Sequence, residues 1–239
     1  MMDGFLISFD DTDSIDTLGT GHVLNRFLAT IPHKTGYITR HQLFVHDDVP
    51  FTSHNSSMCA TVSGDIALDS FIECAARFLE TERADGSDPG LCIAEVGAIT
   101  DVNALVEWGL CAKTEVLAKE DAYTIAQHCN VHLSEHGGDG QGVVGALAAV
   151  GLRLSGNDGR VRGKAEVNAE RLTVAELIDA TGFDRVFAYG QGTLAHDCII
   201  ELDGSEVKAV FQDFSRTMLV APIGHNRYQL LGRRFLKRY

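Results

Sequence analysis

Between His136 and Gly151 the chain reads HGGDGQGVVGALAAVG, five glycines within nine residues leading into a run of small apolar residues. This pattern predicts a turn that opens a helix of small residues, and small residues let a helix pack tightly against its neighbours. It is the strongest punctuation in the chain and sets a domain junction near 136. The expected organisation is an α/β domain over 1–135 and an α+β domain over 136–239 that opens with the glycine loop.

Charge follows the same division. Residues 1–135 carry 7 basic and 21 acidic side chains and residues 136–239 carry 13 and 12, for a net charge of -13. That balance disfavours a general nucleic-acid coat protein, since phosphate contacts need Lys and Arg. A carboxylate-rich half suits a divalent cation, and a near-neutral half with basic patches suits an anionic ligand. The six cysteines contain no C-x-x-C pair, which argues against a zinc ribbon and for buried reduced thiols. MMDGFLISF has no basic n-region, and no apolar run approaches the ~18 residues needed to cross a bilayer. A cytoplasmic protein with no membrane partner is expected.

Phe5 to Phe9 reads as a buried strand that ends at the polar cluster DDTDS. A helix is expected from about Thr20, with Val23, Leu24, Phe27 and Leu28 on one face and Thr20 as a candidate N-cap. Strands are expected at Tyr37 to Thr39, Gln42 to Val45 and Met58 to Val62, and helices at Leu68 to Glu82 and Asp121 to Cys129. ADGSDPG, residues 84–90, reads as an exposed turn. Beyond the junction, GNDGRVRG reads as a turn, TVAELIDATG as a helix stopped by Gly182, and VFAYG, CIIEL, VKAVFQ and TMLVAPI as strands.

Asp10, Asp11 and Asp13 stand just past a strand end, where open sheets bind ligands. Clustered carboxylates repel one another unless a cation neutralises them, and Mg²⁺ favours hard oxygen ligands together with substrate phosphates. An Asx-turn or helix-capping loop accounts for the same residues. Gly140, Gly142, Gly145 and Ala146 spell G-x-G-x-x-G-A, which suits either phosphate held on helix amides or close helix packing. A Rossmann site is disfavoured because no strand is expected before it, and a Walker loop because no Gly-Lys-Ser/Thr follows. His128, His132 and His136 would share a helix face if the helix ran that far; exposed or capping roles suit them better than metal binding. His41, His46 and His54 read as surface residues. The tail from Arg227 to Tyr239 interleaves cations with aromatics, as a solvated helix face or a nucleic-acid contact would.

FDDTDS, the following GT, VPFTSHNSS and GQGVVGALAAVG together resemble the N-terminal half of the archaeal tRNA-isoleucine agmatidine synthetase family, in order and spacing over about 150 residues. The resemblance implies a kinase-like α/β domain followed by a ferredoxin-like α+β domain, with ATP and Mg²⁺ as cofactors. Asp10, Asp11 and Asp13 would then be catalytic and metal-binding, and Thr20 would match the family's autophosphorylated threonine. Asp11, Thr12, Ser14, His54, Asn55, Gly140, Gly142 and Gly145 would contact the nucleotide. The family's Lys and Arg are replaced here within Thr52–Ser56 and at Gln141, so charge stabilisation would lean on Mg²⁺, backbone amides and His54. The resemblance stops before the family's OB-fold and zinc ribbon, which puts tRNA in doubt as a partner. The expected function is Mg-ATP-dependent phosphorylation of an unidentified small-molecule acceptor, an amine among the candidates, in preparation for ligation. An aspartate-nucleophile phosphohydrolase and a catalytically silent nucleotide-binding module are the alternatives.

Overall fold

The computed structural model describes residues 4–14, 17–47, 49, 55–204, 206–237 and 239. The chain divides into two compact units, Met1–Ser155 and Gly156–Tyr239. The first runs β1 (Phe5–Asp10), α1 (Thr20–Thr30), β2 (Lys34–Thr35), β3 (Thr39–Gln42), β4 (Ser56–Ser63), α2 (Leu68–Glu82), β5 (Gly90–Glu95), α3 (Val102–Cys111), α4 (Lys119–His128), β6 (His132–Glu135) and α5 (Gly142–Leu154). Its strands lie in the order β6-β5-β1-β4-β3, with β2 also on β4, and every pairing is antiparallel.

Both faces of this sheet are covered, and strand alternation decides which side chains serve each layer. Phe5, Ile7 and Phe9 of β1, Met58, Ala60 and Val62 of β4, and Leu91 and Ile93 of β5 pack with Val23, Leu24, Phe27 and Phe71 of α1 and α2. Phe27 anchors this layer, its ring centroid 5.6 Å from Phe9, 6.0 Å from Phe71 and 5.3 Å from Phe78. Burying such a ring contributes about 1.5–3 kcal/mol from area alone. Leu6, Cys59, Cys92 and Ala94 face the other way, toward α3, α4 and α5. Asp10 shares that second face by parity.

α5 is buried along almost its whole length. Its small residues permit this: a Cβ added at Gly151 would stand 1.8 Å from the Leu105 carbonyl oxygen of α3. The expected junction at 135/136 is therefore corrected. The glycine segment and α5 belong to the first unit, because β6 pairs with β5 and α5 packs on the second sheet face; the division falls at Ser155/Gly156. A strand, β6, also precedes the glycines where none was expected. It is an antiparallel edge strand, so the Rossmann βαβ geometry is still not formed.

The second unit is α+β: β7 (Arg160–Val161), β8 (Ala165–Glu166), β9 (Arg171–Thr173), α6 (Val174–Thr181), β10 (Arg185–Ala188), β11 (Gly192–Thr193), β12 (Ile199–Glu201), β13 (Glu206–Val207), β14 (Val210–Gln212), β15 (Ser215–Gly224), β16 (Arg227–Leu230) and α7 (Arg233–Leu236). Its strands follow the order β7-β14-β15-β16-β12-β9, with β10 parallel to β15 and β8 paired separately with β13. Val174 and Leu177 of α6 pack with Val186, Ile200, Met218 and Val220. The helix opens on a Thr173–Glu176 capping box and closes on Gly182 at φ 65°, the stop its sequence announces. The tail is β16 and a four-residue helix rather than one helical face; Arg227 pairs with Glu201. No helix among the described residues is long and apolar enough to cross a membrane.

Candidate functional site

β1 ends at Asp10, which pairs in register with Gly90 at the start of β5. Antiparallel pairing thus puts the carboxyl end of one strand beside the amino end of another. The chain then reverses at Asp11, a non-glycine residue at φ 47°, a region that Asp tolerates better than most residues. Two backbone bonds fix the reversal: Asp88 N–H donates to the Asp11 carbonyl (3.1 Å) and Ala84 N–H to the Thr12 carbonyl (3.0 Å). ADGSDPG is accordingly not a free surface turn, since Ser87 is buried and the segment is tied to the aspartate loop.

Asp13 receives the start of α1. Thr20 donates to Asp13 Oδ1 from its backbone N–H (3.0 Å) and from Oγ1 (2.7 Å). The expected N-cap at Thr20 is corrected on this point: Gly19 occupies the cap position and Asp13 supplies the acceptor from seven residues away. Thr20 is buried, and its hydroxyl also accepts weakly from Thr12 N–H (3.4 Å).

The aspartate loop and the glycine segment meet across one cleft of about 400 Å³. Its acidic wall holds Asp10, Asp11, Asp13, Asp88, Glu115 and Asp139, and its apolar wall holds Leu43, Phe44, Val49, Val116, Leu117 and Val144. No Lys or Arg is among the described residues that line it. Gly145 allows the closest approach of the two segments, since a Cβ there would lie 1.7 Å from Asp10 Oδ2. Gly142 lies against the Asp88 carbonyl in the same way, at 2.0 Å. Gly140, at φ 87°, makes the turn itself and stands behind the lining.

Crowding shapes the electrostatics. Burial first, and then the neighbouring Asp11, raise the Asp10 carboxyl well above the usual range. Burial and then Asp88 push Asp11 up to about 7. Burial likewise raises Asp88, with Asp139 adding to it and the Gln141 and Gly140 amides opposing. Each shift records a carboxylate short of positive charge.

Several expected residues lie elsewhere. Thr12 is buried behind the lining, with its Oγ1 lacking a hydrogen-bond partner among the described residues. Ser14 is turned into its own loop, where its amide donates to Thr17 Oγ1 (2.8 Å). Asn55 does line the cleft, its Nδ2 donating to the Phe44 carbonyl (2.6 Å). His54 lies outside the described residues. Among the described residues no group of three or more His, Cys, Asp or Glu side chains is placed to share an ion. Asp10, Asp11 and Asp13 nonetheless line one cleft, with Asp13 also engaged by Thr20.

Asp88, Glu115, Asp139 and the apolar wall were not anticipated. The apolar run LCIA after Asp88 was the available signal, because a strand there would set Asp88 at the edge of the sheet. The three histidines do not share a helix. α4 ends at His128, and His132 and His136 flank Ser134 on β6 with Nε2–Oγ distances of 2.9 and 2.8 Å. His41, expected at the surface, is fully buried and bonded to Thr39 Oγ1 (2.8 Å). Every cysteine is free; Cys59, Cys92, Cys129 and Cys198 are buried as expected, whereas Cys74 is exposed.

No family model and no curated protein matches the chain. Solved structures do. The crystal structure of a tRNA fluorescent labeling enzyme has a TM-score of 0.54 at 18% identity, over 72% of this chain and 42% of that one. Apo TiaS, the agmatidine synthetase that acts on an isoleucine tRNA, gives 0.54 at 17%, over 72% and 42%. A complex of TiaS with its tRNA and ATP gives 0.53 at 18%, over 73% and 43%. This chain therefore spans less than half the length of these proteins and shares their mixed α/β fold, the fold that the motif resemblance implies.

Proposed function

We propose that the cleft of the first unit binds a magnesium-bound nucleoside triphosphate, ATP, and that the protein uses it to phosphorylate and so activate an acceptor. The carrying observation is the convergence of the aspartate loop and the glycine segment, about 130 residues apart in sequence, on one cleft. The fold likeness to a synthetase solved with ATP supports it. The donor set fits a divalent cation, because Asp10 and Asp11 are hard oxygen ligands whose weakened acidity reflects burial and unneutralised crowding. Mg²⁺ takes only one or two protein carboxylates alongside phosphates and water, so no three-ligand cage is required. When bound, it would neutralise phosphate charge and polarise the phosphorus.

The chain's own residues divide the remaining work. Asp10 and Asp11 would hold the cation. Asp13 orients the Thr20 hydroxyl and stands ready to accept its proton, which makes Thr20 the candidate phosphoryl acceptor within the protein. The apolar wall from Phe44 to Val144 offers a face for a base. Asn55 rims the cleft, and Gly142 and Gly145 contribute by closeness. The final acceptor would be a small molecule, an amine among the candidates. Whether tRNA is bound is a separate proposal, and the half of the neighbours' length that this chain does not span bears on it.

One observation favours a second reading, a nucleotide-binding module without turnover: no described lining residue is a Lys or Arg that could stabilise a phosphoryl transition state. The same absence weakens the phosphohydrolase alternative. Calorimetry with ATP and Mg²⁺, followed by a radiolabel transfer assay, separates these. Micromolar to millimolar binding that is lost in Asp10→Asn and Asp11→Asn, with label on the wild-type chain but not on Thr20→Val, is expected. Binding without label would leave the silent module, and no magnesium-dependent binding at millimolar ATP would end the proposal.

A further inference from the structure

His132 and Ser134 alternate along β6 and His136 follows two residues on, so the three side chains form one row at the end strand of the sheet. Ser134 and His132 pair in register with Leu91 and Ile93, which pack in the layer of α1 and α2. The row therefore lies on the opposite sheet face from Asp10, and nothing in it rests on the nucleotide reading.

Both imidazoles reach the same hydroxyl, with His132 Nε2 2.9 Å and His136 Nε2 2.8 Å from Ser134 Oγ. That hydroxyl has one proton, so it donates to one ring and accepts from the other. α2 decides the direction. Glu80 Oε1 stands 3.9 Å from His136 Nδ1, a charge contact that favours the ring proton on Nδ1. His136 Nε2 is then the acceptor, Ser134 Oγ–H donates to it, and His132 Nε2–H donates to Ser134 Oγ. The Arg83 guanidinium stands beside the row, since a Cβ on Gly137 would meet its Nη1 at 2.6 Å. Hydroxyl, base and orienting carboxylate follow one another as they do where a serine is activated.

We propose that Ser134 is an activated nucleophile, a covalent acceptor for acyl groups from small activated esters, with His136 as its general base and Glu80 as the residue that positions that base. In the step, Oγ bonds to the ester carbonyl carbon while its proton passes to His136 Nε2. The bond from that carbon to the leaving oxygen then breaks, and the leaving oxygen takes the proton from His136. Acyl-Ser134 and the free alcohol are the products, and no other reactant is consumed. Ser134 is half-buried on an end strand, where a small ester can approach.

The test treats the full chain briefly with p-nitrophenyl acetate and maps acetyl groups by mass spectrometry, with the exposed Ser70 of α2 as the reference in the same molecule. Ser134 should be acetylated about a hundredfold or more faster than Ser70. His136→Gln should remove that advantage, and His132→Gln should keep most of it. Glu80→Gln should slow the labelling and move the His136 proton toward Nε2, read from imidazole ¹⁵N shifts. The wild-type rate should rise with pH and level off by about pH 7. Burial lowers the His136 value most, with Glu80 opposing and Arg83 adding, and burial lowers His132 as well. Equal rates at Ser134 and Ser70, or an Nε2–H tautomer in wild-type His136, would overturn the proposal. Should His136→Gln fail to fold, the wild-type pH profile decides, because an unassisted hydroxyl gains about tenfold per pH unit with no plateau.

Discussion

In the second unit Glu201 accepts from both Arg171 and Arg227, Asp184 from the Arg216 guanidinium and amide, Asp213 from Arg185, and Lys164 bridges Glu166 and Glu206. In the cleft of the first unit Asp10 and Asp11 face neighbouring carboxylates, and Asp88 faces Asp139 and two backbone amides. The composition of the units already differs, with 8 basic and 22 acidic residues in Met1–Ser155 against 12 and 11 in Gly156–Tyr239. The consequence is opposite titration. The Arg227 and Arg171 guanidinium groups hold Glu201 low; at Asp184 burial pulls upward, but the Arg216 bonds win and hold it low as well. The cleft carboxyls are raised. The second unit pairs these carboxylates with its own cations, whereas the cleft carboxylates Asp10 and Asp11 of the first unit lie among other carboxylates.

The largest expected effect tests that difference by making the same substitution in both units. Asp10→Asn removes a buried carboxyl whose ionisation burial and neighbouring carboxylates disfavour, so it should raise the melting midpoint of the first unit by an amount on the order of 5 °C while abolishing stabilisation by Mg-ATP. Asp184→Asn breaks a guanidinium pair and should lower the stability of the second unit by about 1 kcal/mol, the pair being partly exposed. Trp108 is the single tryptophan and lies buried in α3, so its fluorescence follows the first unit alone. Hydrogen exchange at β15 and β16 follows the second. The same sign at both positions would break the comparison.

A smaller effect appears in pH. Asp11 is ordinarily ionised above about 4 and in the folded cleft is raised to about 7. The unfolded chain therefore gives up this proton first, and stability is lost as pH rises from about 4 toward 7, then levels off. The difference in midpoint between wild type and Asp11→Asn isolates this group from His132 and His136, whose burial acts in the opposite direction. The variant's advantage should be small at pH 4.5, grow through pH 7, and shrink again when Mg²⁺ is added. An advantage that does not depend on pH would show that Asp11 is neutralised in the fold by other means.

How far the sequence foretells this site depends on how local each contact is. β1, α1, α2, α5 and α6 are readable from periodicity and stops, because their signals lie within a dozen residues. FDDTDS and GQGVVG are readable as a pair through their resemblance to a family pattern. Asp88 is not, because its place is set by β5 pairing with β1 and by Gly142 pressing on the 88–90 backbone, contacts that span some fifty residues or more. β6 is missed for a related reason. HLSE has little strand character of its own and extends because β5 offers it an edge. The junction moved from 135/136 to 155/156 because glycines that read as a linker instead admit a helix into the sheet's second layer.

The smallest effect concerns the surface clamp on Glu201, and it sharpens the comparison from the other side. Arg227 Nη2 lies 2.6 Å and Arg171 Nε 3.0 Å from the same Glu201 oxygen, so either arginine can partly replace the other. Both guanidinium groups are more than half exposed, and exposed pairs are weakened by salt and by the entropy of holding long side chains still. Arg227→Gln alone should shift the second unit's midpoint only slightly. Arg171→Gln with Arg227→Gln should lose more than the sum of the singles, and raising the salt several-fold should erase most of that excess. Raising salt should do the reverse in the cleft, where screening relieves repulsion among Asp10, Asp11 and Asp88. Opposite salt responses in the two units, read by exchange at β12 and β16 and by Trp108, are the expected result. Parallel responses would mean that the cleft carboxylates are neutralised in the folded chain, leaving no unmet charge for a cation to satisfy.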